Sequence, residues 1–226
     1  MHKHILIVAA LAGLGFSAPA LNAEVYTFRT IVKTGDSAPG TIGGEFTEFG
    51  YPDFNLAGQV AFAAETNVVL GSSGYWWTPV PPSSNPNALA MITGTGYPIP
   101  GGPAQVRFGD FDFAYYGPML TDAGDVGFSA PLSGLDEPNE VGLFRLIDGA
   151  MTKVAIPGDP APGIPGVTFD WVTNLATMNA NNLMAFKSRL TGPGVNANND
   201  QALYMHWFGG LNMIKREGGS VPGGPR

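Results

Sequence analysis

Few side chains in this chain are equipped for chemistry. His206 is the only histidine beyond residue 23, and there is no cysteine. A lone histidine cannot build a histidine-based zinc site. Thiol catalysis, disulfides, Cys-ligated zinc and Cys-ligated iron–sulfur clusters are excluded outright. A Ser-His-Asp triad would need His206 as its base, but a half-buried strand position beside Trp207 accounts for it more simply. Asp110, Asp112, Asp122 and Asp125 lie close in sequence. A glycoside hydrolase uses two carboxyls about 5–10 Å apart across a cleft, although aspartates of this kind mostly occupy turns. Asp36 and Asp159 hold equivalent places in two Gly-Asp-x-Ala-Pro-Gly segments. Either offers oxygen to Ca²⁺, which takes roughly six to eight such ligands. No EF-hand or nonapeptide spacing accompanies them, so turn capping is the preferred reading and the metal question stays open. Gly94-Thr95-Gly96 lacks the Gly-Lys-Ser/Thr ending of a phosphate loop. Trp77, Tyr115 and Tyr116 would stack on a sugar if exposed, whereas strand aromatics usually pack. No catalytic and no cofactor-binding residue emerges.

The elements that must position these groups repeat. Thr34-Gly35-Asp36-Ser37-Ala38-Pro39-Gly40 returns as Pro157-Gly158-Asp159-Pro160-Ala161-Pro162-Gly163 and again from Glu217-Gly218. A degenerate copy starts at Thr93-Gly94. A second motif, Asn55-x-x-Gly58-Gln59-Val60-Ala61-Phe62, returns as Thr121-x-x-Gly124-Asp125-Val126-Gly127-Phe128 and as Asn179-x-x-Asn182-Leu183-Met184-Ala185-Phe186. A third is a short apolar stretch: Tyr75-Trp76-Trp77, Leu143-Phe144-Arg145 and Leu203-Tyr204-Met205. Three motifs in constant order at a period of about 60 residues predict tandem units, over roughly 34–92, 93–156 and 157–215. A partial fourth follows over 216–226.

Each unit reads as four short strands. Val60 and Phe62 alternate with Gln59 and Ala61, which predicts one buried face and places Gln59 on the exposed side. Asn55 can cap the backbone of its own turn, and Gly58 can take the positive φ that closes it with a bulge. Thr121 and Asn182 are weaker versions of the same two roles. The Pro-Gly pairs suit type II turns between units. Asp170–Leu190 also reads as one amphipathic helix through Trp171, Leu175 and Met178, although the motif alignment argues against it. The fold predicted is all-β: four-stranded antiparallel units arranged like propeller blades, with a β-sandwich or a stack of sheets as the alternative. Three units fall short of a closed ring. Val25–Lys33 reads as the last strand of an incomplete blade, so open sheet edges and self-association are expected.

Composition agrees. Thirty-two glycines and 20 prolines are about twice the usual share of roughly 12%, too many for a helical bundle. With 11% aromatics the chain is not of the disordered class. Residues 1–23 carry a basic start, an apolar run from Ile5 to Phe16 and a small-residue end at Ala20 and Ala23, the pattern of a signal peptide. That predicts export, with 24–226 as one repeat domain and no membrane span in the mature chain. From Glu24 onward one basic residue, Lys3, is lost and all 18 acidic residues stay. The acidic balance makes nucleic acid a poor partner.

The repeated Asn-x-x-Gly-x-Val-Ala-Phe pattern resembles the bacterial choice-of-anchor tandem repeat NxxGxVAF-containing proteins. Asn55, Gly58, Val60, Ala61 and Phe62 match it fully. The second copy keeps Gly124, Val126 and Phe128, and the third keeps Asn179, Ala185 and Phe186. The resemblance implies an exported bacterial repeat protein and brings no activity with it. The function expected is therefore a non-catalytic exported or cell-surface binding or structural module, with carbohydrate or a surface protein as partner class. The alternative is a carbohydrate-active hydrolase or lyase using an Asp pair.

Overall fold

The computed structural model describes residues 29–80, 88–111, 117–135, 140–173, 175–207 and 210–220. Residues 1–23, read above as a signal peptide, the first four residues of Val25–Lys33, and Asp112, Tyr115 and Tyr116 lie outside the described residues. Residues 31–226 form one compact unit. It is all-β, built from three antiparallel sheets laid down in sequence order. Sheet 1 is the meander β1 (Phe46–Phe54), β2 (Val60–Thr66), β3 (Ser73–Trp77), β4 (Ala90–Gly94). Sheet 2 holds β5 (Arg107–Phe108), β6 (Met119–Leu120), β7 (Val126–Ser133), β8 (Val141–Ile147) and β9 (Ala150–Ala155). Sheet 3 holds β10 (Thr168–Val172), β11 (Thr177–Met178), β12 (Met184–Thr191), β13 (Gln201–Trp207) and β14 (Gly210–Arg216).

Asp170–Leu190 is strand, not helix: β10, β11 and most of β12 occupy it. The outer strand is interrupted in two sheets. β5 and β6 both pair β7, and β10 and β11 both pair β12. The outer strand β5 ends at Phe108. Beyond it the edge meets Pro131 of β7, which has no N–H to continue the ladder. The described part of Val25–Lys33, from Arg29 onward, is not strand either.

The period-2 pattern is present, but the expectation of a single buried face is corrected. In β2, Phe62 and Ala64 belong to one apolar cluster, while Ala61 and Ala63 belong to another. Both faces are covered because the sheets stack. The front face of each sheet carries an aromatic trio, one residue from each of its first three strand positions: Phe46/Phe62/Trp76, Phe108/Phe128/Phe144 and Phe169/Phe186/Tyr204. The first and third rings of each trio meet edge to face at 5.0, 4.9 and 5.0 Å, a favoured aromatic geometry.

The trio of sheet 2 packs on the back of sheet 1, against Ala61, Ala63 and Tyr75. The trio of sheet 3 packs on the back of sheet 2, against Leu143 and Met119. Small residues on the middle strand permit this approach. A Cβ added to Gly127 would lie 2.7 Å from Met184 Cε and 2.9 Å from Met178 Sδ, closer than packed atoms tolerate. The trio of sheet 1 packs against Ala38 and Val32 of the preceding turn. No apolar cluster of described residues joins sheet 1 to sheet 3, so the propeller-like series is an open stack. The back of sheet 3 faces solvent, with Lys187, Arg189, Gln201 and Leu203 all exposed.

Candidate functional site

Two kinds of turn set the geometry from which any site must be built. In the Asn-x-x-Gly turn, Gly58 N–H donates to Asn55 O at 3.0 Å, and Gln59 N–H donates to Asn55 Oδ1 at 2.9 Å. Gly58 has φ 77°, where a β-branched side chain is strained. The same bonds recur elsewhere. Gly124 N–H donates to Thr121 O and Asp125 N–H to Thr121 Oγ1. Asn182 N–H donates to Asn179 O and Leu183 N–H to Asn179 Oδ1. Asn182 takes φ 60°.

In the second turn, Gly35 N–H donates to Phe46 O, and Phe46 N–H returns to Asp36 O. Gly158, Phe169 and Asp159 repeat this pair. The degenerate copy is Thr95-Gly96-Tyr97-Pro98-Ile99-Pro100-Gly101, two residues later than the sequence expectation at Thr93-Gly94. Gly96 N–H donates to Phe108 O, Phe108 N–H donates to Tyr97 O, and Ile99 is buried as Ala38 and Ala161 are. The leading glycines are then 35, 96, 158 and 218. Gly94-Thr95-Gly96 is thus the entry to this turn and holds no phosphate-loop geometry. Asp36 Oδ2 accepts Lys33 N–H at 3.0 Å. Asp159 Oδ2 accepts Ile156 N–H at 3.1 Å, and its Oδ1 pairs with Lys153 Nζ at 2.7 Å. Both carboxylates cap their own turns.

The Asn-x-x-Gly turns touch their neighbours across the sheet seams. At the first seam Asn55 Nδ2 donates to Thr121 O at 2.9 Å, Leu56 N–H to Asp122 Oδ1 at 3.1 Å, and Leu120 N–H to Asp53 Oδ2 at 2.7 Å. Gln59 is only 4% exposed, against the expectation of a solvent position. Its Oε1 accepts Asn55 Nδ2 at 2.7 Å and its Nε2 donates to Thr78 O at 3.2 Å. At the second seam Asp125 accepts from Asn182 Nδ2 at 2.6 Å and from Asp148 N–H at 3.0 Å, while Arg145 Nη1 donates to Asn182 O at 3.2 Å. Asp122 and Asp125 are therefore both engaged in holding sheets together. Asp110 follows β5, opposite the Pro131 end of β7, whereas Asp122 and Asp125 stand at the Val126 end. Five residues of strand separate the two ends by about 17 Å, too far for a hydrolytic pair. Among the described residues no group of three His, Cys, Asp or Glu converges as a metal site.

His206 completes the second seam. It lies on the front of β13 and is buried. Its Nδ1 has no hydrogen-bond partner, so no carboxylate orients the ring as a triad requires. Burial and, secondarily, the nearby Arg145 cation hold its pKa below the usual histidine value. Arg145 is itself lowered by burial and partly restored by Asp125. A base with a lowered folded-state pKa stays neutral in the fold while the unfolded chain takes up a proton. Stability is then fully present above about pH 6.5 and declines as the pH falls from that value toward the folded-state pKa. Thermal melts at pH 7.5 and 5.5 should show a loss at the lower pH that His206→Gln reduces. An unchanged pH difference in the variant would remove His206 as its source.

Trp77 is partly buried and packs against the cluster between sheets 1 and 2, the packing role preferred for it above. Sequence reasoning missed the seam role of Arg145 and Asn182. It also missed the first member of each trio, although Phe46, Phe108 and Phe169 recur 62 and 61 residues apart. Among the described residues no helix is long and apolar enough to cross a membrane. A family model described as "Family of unknown function (DUF7453)" matches residues 80–225. No curated protein and no solved structure matches the chain.

Proposed function

The chain belongs to the DUF7453 family, which carries no known activity, and on that premise we propose that it is a non-catalytic binding or structural module, exported or displayed at the cell surface. One observation carries the reading: Asp122 and Asp125, two of the four clustered aspartates, are occupied by backbone and amide donors at the seams. A general acid or nucleophile needs a carboxyl free to meet substrate. The polar groups of this unit are arranged to lock neighbouring sheets. Export rests on the signal-like pattern of residues 1–23 and on the resemblance of the Asn-x-x-Gly-x-Val-Ala-Phe motif to exported repeat proteins.

The test joins both halves of the reading. Expressed with its full N-terminus in a bacterial host, the protein is expected outside the cytoplasm, with a mature end at or near Leu21 or Glu24 by mass spectrometry. That material should release no reducing ends from a panel of polysaccharides. Export with Met1 retained would refute the signal assignment. Polysaccharide cleavage that Asp125→Asn abolishes would restore the hydrolase.

A further inference from the structure

The solvent-facing back of sheet 3 differs from the two backs that are covered. At the middle-strand position where sheet 1 has Ala63 and sheet 2 has Ser129, sheet 3 has Lys187. Covering it with another sheet would bury an unpaired ammonium, at high cost. Lys187, Leu203 and Lys215 stand in one cross-strand row on β12, β13 and β14. Strand spacing puts the two lysines about 10 Å apart with Leu203 between them. In the adjacent row Trp171 stands opposite Arg189, which is paired with Asp170. Trp207 marks the far end of β13, roughly 20 Å from Trp171 by strand geometry. Both tryptophans are 36% exposed and Leu203 is 44% exposed. A groove of about 510 Å³ runs beside the row, lined among others by Lys187, Gln201, Leu203, Lys215, Arg216 and Glu217. The whole chain has only 11 Lys and Arg against 18 Asp and Glu, yet this face and its groove bring together Lys187, Arg189, Lys215 and Arg216 against Asp170 and Glu217.

We propose that this face binds an acidic polysaccharide, a uronate-bearing glycan laid across the strands from Trp171 toward Trp207. The reasoning is chemical. Half-exposed indole rings offer flat apolar platforms to sugar rings. The lysines offer compact point charges to carboxylates spaced along a chain. Leu203 gives the row an apolar floor. The acidic remainder of the protein repels the denser charge of nucleic acid. The assignment rests on the module reading above and names its ligand class.

Affinity electrophoresis of the purified protein tests it, with polygalacturonate, neutral dextran or duplex DNA in the gel. Retardation by polygalacturonate alone is expected, weakening as salt rises. Lys187→Glu should reduce it at least about tenfold, with Lys187→Ala and Trp171→Ala giving smaller losses. Lys187 is exposed, so its variants should melt like the parent. Absence of retardation by polygalacturonate, equal retardation by dextran or DNA, or indifference to Lys187→Glu would each overturn the proposal. Cleavage of the polygalacturonate, read from reducing ends in the same samples, would instead overturn the non-catalytic reading and leave the face assignment standing.

Discussion

Phe128→Ala is expected to destabilise the protein by about 3–5 kcal/mol. Phe128 is fully buried and sits where two sheets meet. Its ring lies 5.2 Å from Tyr75 of sheet 1 and 5.6 Å from Phe144 of its own sheet, by ring centroids. Truncation removes the transfer energy of a large ring and leaves a cavity that the paired strands cannot close. For a chain of this size each kcal/mol corresponds to about 2–4 °C in Tm, so a drop of roughly 6–20 °C is expected by differential scanning calorimetry. Phe54→Ala is the comparison. That ring is 75% exposed at the end of β1, and its loss should stay within about 0.5 kcal/mol. Equal shifts for the two variants would mean that sheets 1 and 2 do not pack through the aromatic trio.

The second large effect lies at the seam between sheets 2 and 3. Asp125→Ala should cost about 3 kcal/mol, because it strands several partners at once. Asp148 N–H and Asn182 Nδ2 lose their acceptor. Arg145, already lowered by burial, loses the carboxylate that favours its charge. Asp122→Ala removes a carboxylate of the same turn but from the exposed side, and should cost less than about 1 kcal/mol. Chemical denaturation separates the two, since both remove the same three heavy atoms in one turn. If Asp122→Ala matched Asp125→Ala, the buried seam network would not be the source of the effect.

Much of this architecture was legible because its rules are local. A Gly or Asn at the fourth position of the Asn-x-x-Gly turn needs positive φ, and a capping oxygen must stand at the first. Those demands leave a mark at each copy, whatever the rest of the unit does. The third copy could be aligned through Asn179 and Asn182 for the same reason, which argued against the helix over Asp170–Leu190. What stayed hidden was set by the neighbouring sheet. Gln59 reads as an outward polar residue, since nothing nearby in sequence reveals that the turn at Gly124 will cover it, where an added Cβ would lie 2.8 Å from the Gln59 amide. Arg145 reads as an ordinary strand arginine until the turn at Asn182 is brought beneath it. The copy at Gly96 is masked in the sequence because Tyr97 and Ile99 replace the aspartate and alanine of the other copies. The Pro-x-Pro-Gly that follows Tyr97 holds the correct register. The basic, tryptophan-bearing back of sheet 3 is likewise a property of stacking order, because only the stack decides which backs stay open.

Stacking in sequence order also sets how the molecule can come apart. Each sheet is stitched internally by hairpins and, among the described residues, its apolar clusters join it only to what precedes and follows it. Such a chain behaves as a short row of coupled units rather than as one indivisible core. The middle sheet is held on both faces, so it cannot open before one of its neighbours has let go. Fraying therefore begins at an outer sheet and travels inward, and the seam turns at Thr121 and Asn182 are the gates through which it must pass.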